Sequence, residues 1–534
     1  MSRATEITSK LWAMANKLRG TMDASEYKNY ILPFMFYRYL SENQEKKRKD
    51  LGLELSDMQT EDGEWVIREK TGYLIKYEYL WAHIVEKVKS GGIKASDFHD
   101  MFQSFKENVS TDENKAGFEN VFSDVNLGDT RLGSNTNDRA AALKDIILMI
   151  DEFDFKDETG HDILGDVYEY LIGQFAANAG KKGGEFYTPH EVSKIMAKIV
   201  AITKSKESIR GQLRVYDPTM GSGSLLLTVQ KEFSDKISDV EFYGQELNTT
   251  TYNLARMNLM MHDVDLVNMF LNRGNTLDSE DWPFQERDGQ KAPKKVDAVV
   301  ANPPYSQNWD TKTVDRTKDA RFRSYGIAPA SKADYAFILH GLFHLEEDGT
   351  MAIVLPHGVL FRGAAEGKIR QKLIEENVLD AVIGLPANLF YGTSIPTCIL
   401  VFRGRKARKD KTDVLFIDAS REFEKGKNQN KLTEENISKI IDTYRNRESI
   451  EKYSHVASLE EIVKNDYNLN IPRYVDTYEE EPVVPLSEIA QQLKDVREEI
   501  HATEQELYAM FRELEGTTDE AKEELKKFLE ILGI

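Results

Sequence analysis

The sequence predicts an α/β protein in three parts. These are a helical N-terminal domain over residues 1–160, a doubly wound domain with a mixed sheet over 161–478, and a helical, coiled-coil-like tail over 479–534. Three observations carry the prediction. Between Leu213 and Phe402, short apolar runs alternate with stretches of helical periodicity, the pattern of a parallel or mixed sheet covered on both faces. From Ile7 to Phe155 apolar residues recur mainly at helical spacing. Beyond Pro482 one apolar stripe with charged shoulders takes over.

Composition narrows the class. At 534 residues the chain has room for roughly two to four domains. No apolar run approaches the roughly 20 residues that span a bilayer, so no membrane role is expected. The N-terminus carries Arg3, Glu6 and Lys10 and has no signal-peptide core, which makes the cytoplasm the expected compartment. Cys398 is the single cysteine, which excludes an intrachain disulfide and a cysteine-based zinc site, and no metal is expected. The net charge of −20 argues against a chain that grips DNA alone, because phosphate binding needs a basic footprint. Basic density is local, at Lys312–Arg323 and Arg403–Lys411.

The elements follow in order. Ile7, Leu11, Met14, Ala15 and Leu18 share a helical face closed by Gly20. Tyr27, Tyr30, Ile31, Phe34, Tyr37 and Leu40 form an aromatic stripe, read as core. Helical patterns at Leu80–Val88 and Ala141–Ile150 complete a region without evident chemistry. The helix Ile163–Phe175 leads through glycines to Glu185-Phe186-Tyr187-Thr188-Pro189-His190, with Thr188 as N-cap and Pro189 at the first helical position. A strand at Leu213–Tyr216 runs into Asp217-Pro218-Thr219-Met220-Gly221-Ser222-Gly223-Ser224 and a helix ending at Phe233. Such a glycine-rich turn lets backbone approach a ligand and aims helix N–H groups at it, and the absence of Gly-Lys-Ser/Thr excludes a P-loop. The second strand, Val240–Gly244, ends near Glu246, where a doubly wound nucleoside-binding fold places its ribose carboxylate. A helix over Thr250–Met261 and a third strand, Asn268–Leu271, lead to Arg273-Gly274-Asn275-Thr276-Leu277-Asp278. A fourth strand, Val296–Val300, ends in Ala301-Asn302-Pro303-Pro304-Tyr305. A helix at Ala333–Leu345, a strand at Thr350–Leu355, a helix at Ile369–Glu376, a strand at Leu379–Ile383 and a last strand at Thr397–Phe402 follow.

The fourth strand's end carries the most pointed chemistry. The Asn302 carboxamide oxygen and the Pro303 carbonyl are two acceptors able to hold an amino group by both hydrogens. Tyr305 adds a flat face for a ring. The set suits an enzyme that alkylates a planar, amide-like nitrogen such as the exocyclic amine of adenine. A plain strand-end Asn-Pro turn is the alternative.

Phe-Tyr-Thr-Pro, then Asp-Pro-x-x-Gly-Ser-Gly, then an acidic strand end, then Asn-Pro-Pro-Tyr resemble an amino-group DNA methyltransferase using S-adenosylmethionine. More closely, the chain is similar to the modification (M) subunit of Type I restriction-modification systems, an N6-adenine DNA methyltransferase. The helical N-region, Glu185–Pro189 and Asp466-Tyr467-Asn468-Leu469-Asn470-Ile471-Pro472-Arg473-Tyr474 carry that closer likeness. The resemblance implies methyl transfer to the N6 amine of an adenine flipped out of double-stranded DNA, at a site chosen by a specificity (S) subunit. It implies that Glu185, Phe186, Tyr187, Thr188, Pro189 and His190, with Asp217, Thr219, Gly221, Ser222, Gly223 and Ser224, embrace the cofactor while Glu246 takes its ribose. Asn275 and Asp278 are implied for the wall around the cofactor adenine, their roles unassigned because the family often has Asp where Asn275 stands. Catalysis is implied for Asn302, Pro303, Pro304 and Tyr305, with Phe390 of Leu389-Phe390-Tyr391-Gly392 as a second stacking ring. A core aromatic before a turn is the alternative for Phe390. The expected mechanism is positioning and electrostatics without a covalent intermediate, and Cys398 is expected to lie away from the motifs.

The tail stripe comprises Leu486, Ile489, Leu493, Val496, Ile500, Leu507, Met510 and Leu514, with Thr503 its polar interruption. Gly516 is expected to end that helix, and Thr518-Asp519 to start another through Leu532. The stripe either folds back on the catalytic domain or docks on partner helices. The resemblance implies docking on the S subunit, a second copy of the chain in an M2S1-type methyltransferase, and a restriction (R) subunit in a larger complex. Three other readings are a protein-glutamine methyltransferase, an N4-cytosine methyltransferase and a non-catalytic scaffold with the cofactor fold.

Overall fold

The computed structural model describes residues 3–18, 24–110, 117–156, 162–178, 188–204, 211–233, 237, 239–278, 282–287, 289–312, 315–426, 429–478 and 485–533. Its strands are β1 (Leu213–Asp217), β2 (Val240–Glu246), β3 (Met269–Arg273), β4 (Phe284–Arg287), β5 (Gln290–Pro293), β6 (Val296–Ala301), β7 (Leu345–Pro356), β8 (Leu379–Gly384), β9 (Thr397–Arg403), β10 (Asp413–Asp418), β11 (Glu424–Lys425), β12 (Asn430–Lys431) and β13 (Ser454–Ser458). Nine of them make one mixed sheet in the order β13-β10-β8-β9-β7-β6-β1-β2-β3. β1 pairs in parallel with β2 on one side and β6 on the other, so the chain winds outward from β1 and returns beside it. That reversal opens a crevice at the carboxyl ends of β1, β2 and β6, the usual ligand position in a doubly wound sheet. β9 runs antiparallel to both β7 and β8, which makes the sheet mixed.

The helices are α1 (Arg3–Leu18), α2 (Ala24–Asp50), α3 (Glu61–Thr71), α4 (Trp81–Lys89), α5 (Ala95–Glu107), α6 (Thr136–Asp151) and α7 (Leu164–Asn178), followed by α8 (His190–Thr203), α9 (Ser224–Phe233), α10 (Thr249–Met261), α11 (Asp334–His344), α12 (Gly358–Phe361), α13 (Ala364–Glu375), α14 (Glu434–Asn446), α15 (Leu459–Lys464), α16 (Leu486–Arg512) and α17 (Asp519–Leu532). The central sheet strands are apolar on both sides because both faces are covered. In β6 all six residues are buried, Val300 in a core with α8, α9 and α14, and Val299 in a core with α11 and α13. The aromatic stripe of α2 is buried throughout, as its spacing predicts. It continues through Pro33 in a helix of 27 residues, tertiary packing outweighing a proline's cost.

α10 joins the helical region to the sheet. Its Ala255 and Leu259 pack toward the sheet, whereas Met257, Met260 and Met261 belong to the core of α1, α2, α6 and α7. Between them the buried Arg256 donates Nη1 to the carbonyls of Gly117 at 3.0 Å and Glu119 at 2.8 Å. Residues Met1–Asp476 accordingly form one compact unit, and Thr477–Ile534 a second.

Several expectations are corrected. The strand over Thr397–Phe402 is not the last, since β10 and β13 extend the sheet beyond it. The apolar run of β10 lies directly behind the basic stretch Arg403–Lys411, and β13 is a short edge strand with little apolar signal. Thr188 does not cap α8; the helix begins at His190 with Pro189 in the cap position and no side-chain cap. Within the basic stretch Lys312–Arg323, Arg316 and Arg321 are fully buried and bonded to Asp278 and Asp319. Arg408 of the second basic stretch is buried against Asp380. Gly20 lies outside the described residues.

In the second unit, α16 ends at Arg512, before Gly516, and the Thr518 side chain accepts from the N–H of Ala521 to start α17. Phe511 of α16 meets Phe528 of α17 edge to face, ring centroids 5.2 Å apart. No described residue of α16 is buried.

Candidate active site

A cavity of about 540 Å³ opens at the carboxyl ends of β1, β2 and β6. The β1–α9 turn forms its floor. Gly221 and Gly223 have φ of +54° and +77°, the left-handed region in which a side chain is strained, so glycine is favoured at both. The turn is tied to β2 by the N–H of Met220 on the Gln245 carbonyl at 3.0 Å, and to α10 by Asn258 Nδ2 on the Ser222 carbonyl at 2.9 Å. The Glu246 carboxylate accepts from the N–H of Gly221 at 3.2 Å and of Asn248 at 2.8 Å, one on each oxygen. A carboxylate is an acceptor-only group, the chemistry that suits the hydroxyls of a diol. Asp217 is buried and accepts from the N–H of Thr219 at 2.9 Å. Burial pushes its carboxyl up to about 8, with the Thr219 N–H lowering it and nearby Glu246 raising it.

At the opposite wall, Asn302 Nδ2 donates to Thr188 Oγ1 at 2.9 Å, joining the entry to α8 with the end of β6. The Tyr305 hydroxyl donates to Asn302 Oδ1 at 2.8 Å. The Tyr305 and Phe390 rings meet edge to face, centroids 6.1 Å apart and planes at 75°. Phe390 is only 1% exposed and packs in the core beneath α8 and α9. Cys398 is not remote from the motifs: it lies close enough to Tyr305 to help raise that hydroxyl's pKa, after burial. Its thiol is buried and donates to the Leu355 carbonyl at 3.5 Å, and burial raises it far from the thiolate form a nucleophile needs.

The fold thus brings Thr188, Asp217, Thr219, Gly221, Ser222, Ser224, Glu246, Asn275, Asn302 and Pro304 into one cavity wall. Pro189, His190, Gly223, Asp278, Pro303, Tyr305 and Phe390 do not line it. Glu185, Phe186 and Tyr187 lie outside the described residues. Asn275 and Asp278 divide their positions clearly. Asn275 lines the cavity, while Asp278 accepts its Nδ2 at 2.8 Å and is held from behind by Arg316 at 3.2 Å.

Among the lining residues that sequence reasoning missed, two groups differ in the signal they carried. Gln245, beside Glu246, had a signal in its place at a strand end facing a ligand crevice. Lys28 and Leu32 of α2 and Ile172 and Ala176 of α7 had none, because only the packing on α10 brings the helical region to the cavity.

Comparison with known proteins bears on the family of the whole chain. The N-6 DNA methylase family model matches residues 159–482, and the HsdM N-terminal domain model matches residues 7–150. The methylase subunit of the type I restriction enzyme MpnII from Mycoplasma pneumoniae is 36% identical over 523 residues, covering 92% of this chain and 95% of the relative. The MjaVIII methylase subunit from Methanocaldococcus jannaschii is 32% identical over 486 residues, covering 89% and 79%. The crystal structure of a type I restriction-modification methyltransferase subunit from Streptococcus thermophilus matches with a TM-score of 0.81 at 43% identity, over 89% of this chain and all of that one. With its glycine-rich turn, Glu246 and Asn-Pro-Pro-Tyr at adjacent strand ends, the chain belongs to the N-6 DNA methylase family, among the methylase subunits of type I restriction enzymes.

Proposed function

We propose that this chain transfers a methyl group from S-adenosylmethionine to the N6 amine of a flipped adenine in double-stranded DNA, at a site chosen by a specificity subunit. The observation carrying this reading is that Asn302 and Glu246 line the same cavity from opposite walls. The residues present fit the cofactor: Glu246 presents a carboxylate in the cavity wall, the chemistry for a ribose diol, and the Gly221 and Gly223 turn admits a ligand against backbone. Thr188, Asp217, Thr219, Ser222 and Ser224 would hold it with them, and Asn275 would wall its adenine, braced by Asp278. When bound, the cofactor supplies an electrophilic methyl group.

Asn302 and the Pro303 carbonyl hold the amine by its two hydrogens, which leaves its lone pair free of the ring. Nδ2 of Asn302 is already fixed by Thr188, so Oδ1 is presented in one orientation. Tyr305 donates its own hydroxyl to that oxygen, which as a carbonyl can accept a second hydrogen bond from the amine. Unstacking the base costs on the order of a few kcal/mol, which ring contacts with Tyr305 and Phe390 partly offset.

The same reading divides the chain into a helical domain (1–160), a catalytic domain (161–478) and a tail (479–534) that docks on the specificity subunit. Exposure of the α16 stripe supports it, Leu486 at 83%, Leu493 at 56% and Met510 at 64%. A second copy, a restriction subunit and a cytoplasmic location belong to the same proposal; among the described residues no helix is long and apolar enough to cross a membrane. The test is tritiated methyl transfer to DNA and to protein acceptors, with and without the specificity subunit, followed by nucleoside analysis. N6-methyladenine formed only in the complex is expected. N4-methylcytosine or labelled protein would sink the reading.

A further inference from the structure

Gln245 stands out among the cavity-lining residues because it is fully buried while its Nε2 has no hydrogen-bond partner among the described residues. An unpaired buried donor is costly enough that most are satisfied, by protein or by something the protein binds. Its other end belongs to a buried chain of fixed direction. Arg321 Nη1 lies 3.0 Å from His340 Nδ1, His340 Nε2 lies 2.8 Å from the Tyr216 hydroxyl, and that hydroxyl lies 3.4 Å from Gln245 Oε1. A guanidinium only donates, so His340 Nδ1 accepts and Nε2 carries the proton. Nε2–H then donates to the Tyr216 oxygen, and Tyr216 O–H donates to Gln245 Oε1. Burial, with His344 and Arg321 nearby, holds His340 well below its ordinary pKa and therefore in this neutral form. Every link polarises the next, and the last unsatisfied proton is on Gln245 Nε2. Gly274, also in the cavity wall, keeps the approach open: an added Cβ there would come 3.4 Å from that nitrogen.

We propose that Gln245 Nε2 is a cofactor-binding donor that reads a ring nitrogen of the cofactor's adenine, with Tyr216, His340 and Arg321 as the positioning residues behind it. The inference rests on the cofactor reading above. A neutral acceptor is indicated because Glu246, next in the chain, repels an anionic one, and because Asp319 neutralises Arg321 at 2.6 Å, so the relay offers a dipole and no net charge. The ribose hydroxyls are taken by Glu246, which leaves the base.

Calorimetry with S-adenosylhomocysteine and its 1-deaza, 3-deaza and 7-deaza analogues tests this on the full-length protein, wild type and Gln245→Met. One hydrogen bond corresponds to about tenfold in affinity. Wild type should lose about tenfold for one analogue alone. Gln245→Met should bind the parent about tenfold more weakly and no longer distinguish that analogue. Tyr216→Phe should lose about threefold and keep the same analogue preference, which also serves should Gln245→Met not fold. Equal deaza penalties in wild type and Gln245→Met, or no deaza penalty in wild type or Tyr216→Phe, would overturn the assignment. Failure of wild type to bind S-adenosylhomocysteine would instead overturn the cofactor reading beneath it.

Discussion

Asn302 makes two bonds at once, one to Thr188 that orients it and one from Tyr305 that occupies its acceptor. Asn302→Ala should lower methyl transfer by about 10²- to 10³-fold, the scale of removing one preorganised polar group, while calorimetric cofactor affinity stays within a factor of two to three (roughly) of wild type. Equal losses of both would place Asn302 at the cofactor instead. Phe390 lies in the core and touches Tyr305, so its two roles must be separated. Phe390→Ala should cost about 3–5 kcal/mol of stability. Phe390→Leu keeps most of the volume, and in it transfer to duplex DNA should fall more than stability does, with a smaller fluorescence rise from 2-aminopurine at the target. Unchanged transfer in the leucine variant would leave Phe390 a packing residue. Asp217 makes the site pH-dependent. Its carboxyl holds a proton up to about 8 in the folded chain, and a cationic ligand beside it favours the ionised form. Cofactor affinity should therefore rise with pH toward about 8 and level off above it, at most about tenfold per unit. The stability sign is opposite: between the ordinary carboxylate range and 8 the folded state binds the extra proton, so this group's contribution falls as pH rises. Asp217→Asn should flatten the affinity profile measured by calorimetry from pH 6 to 9.

At the scale of elements, the β1–α9 turn and α10 do most of the positioning. Gly223 needs its left-handed φ of +77°, while a Cβ there would meet nothing nearer than 3.6 Å. Gly223→Ala therefore tests backbone strain alone. It should cost about 1–2 kcal/mol in denaturant unfolding and weaken the cofactor, because the strain is relieved by moving the turn. α10 couples the helical region to the sheet through Met257, Met260 and Met261 on one side and Leu259 on the other. That coupling places Lys28 and Leu32 in the cavity wall, so the helical region is part of the site.

For the whole molecule, a net charge of −20 and the burial of Arg316, Arg321 and Arg408 leave less basic surface than the sequence suggests. The isolated chain should bind DNA weakly, with a shallow dependence on salt. The α16 stripe lies in the second compact unit, outside the one that holds the cavity. A chain ending before Val484 should fold, bind S-adenosylmethionine as the full chain does, and fail to assemble with the specificity subunit in size-exclusion chromatography. Assembly at full-length affinity would move the docking surface to the helical region.

The sequence by itself determined the order of motifs and their place at strand ends, since a strand, a glycine-rich turn and the following helix are specified within about a dozen residues of chain. Asp217 to Ser224, Glu246 and Asn302 to Tyr305 were legible for that reason, as was the α16 stripe. The tertiary structure alone decided which groups meet across long separations. Thr188 bonds Asn302 across 114 residues, Arg321 reaches Thr276 across 45, and Lys28 joins a cavity built from β1, β2 and β6. The same holds for Lys312–Arg323, where packing buries Arg316 and Arg321 and leaves Arg323 exposed. Local preference specifies an element and its ends, whereas a partner distant in sequence is chosen by which apolar faces pack together, and no window of sequence contains both.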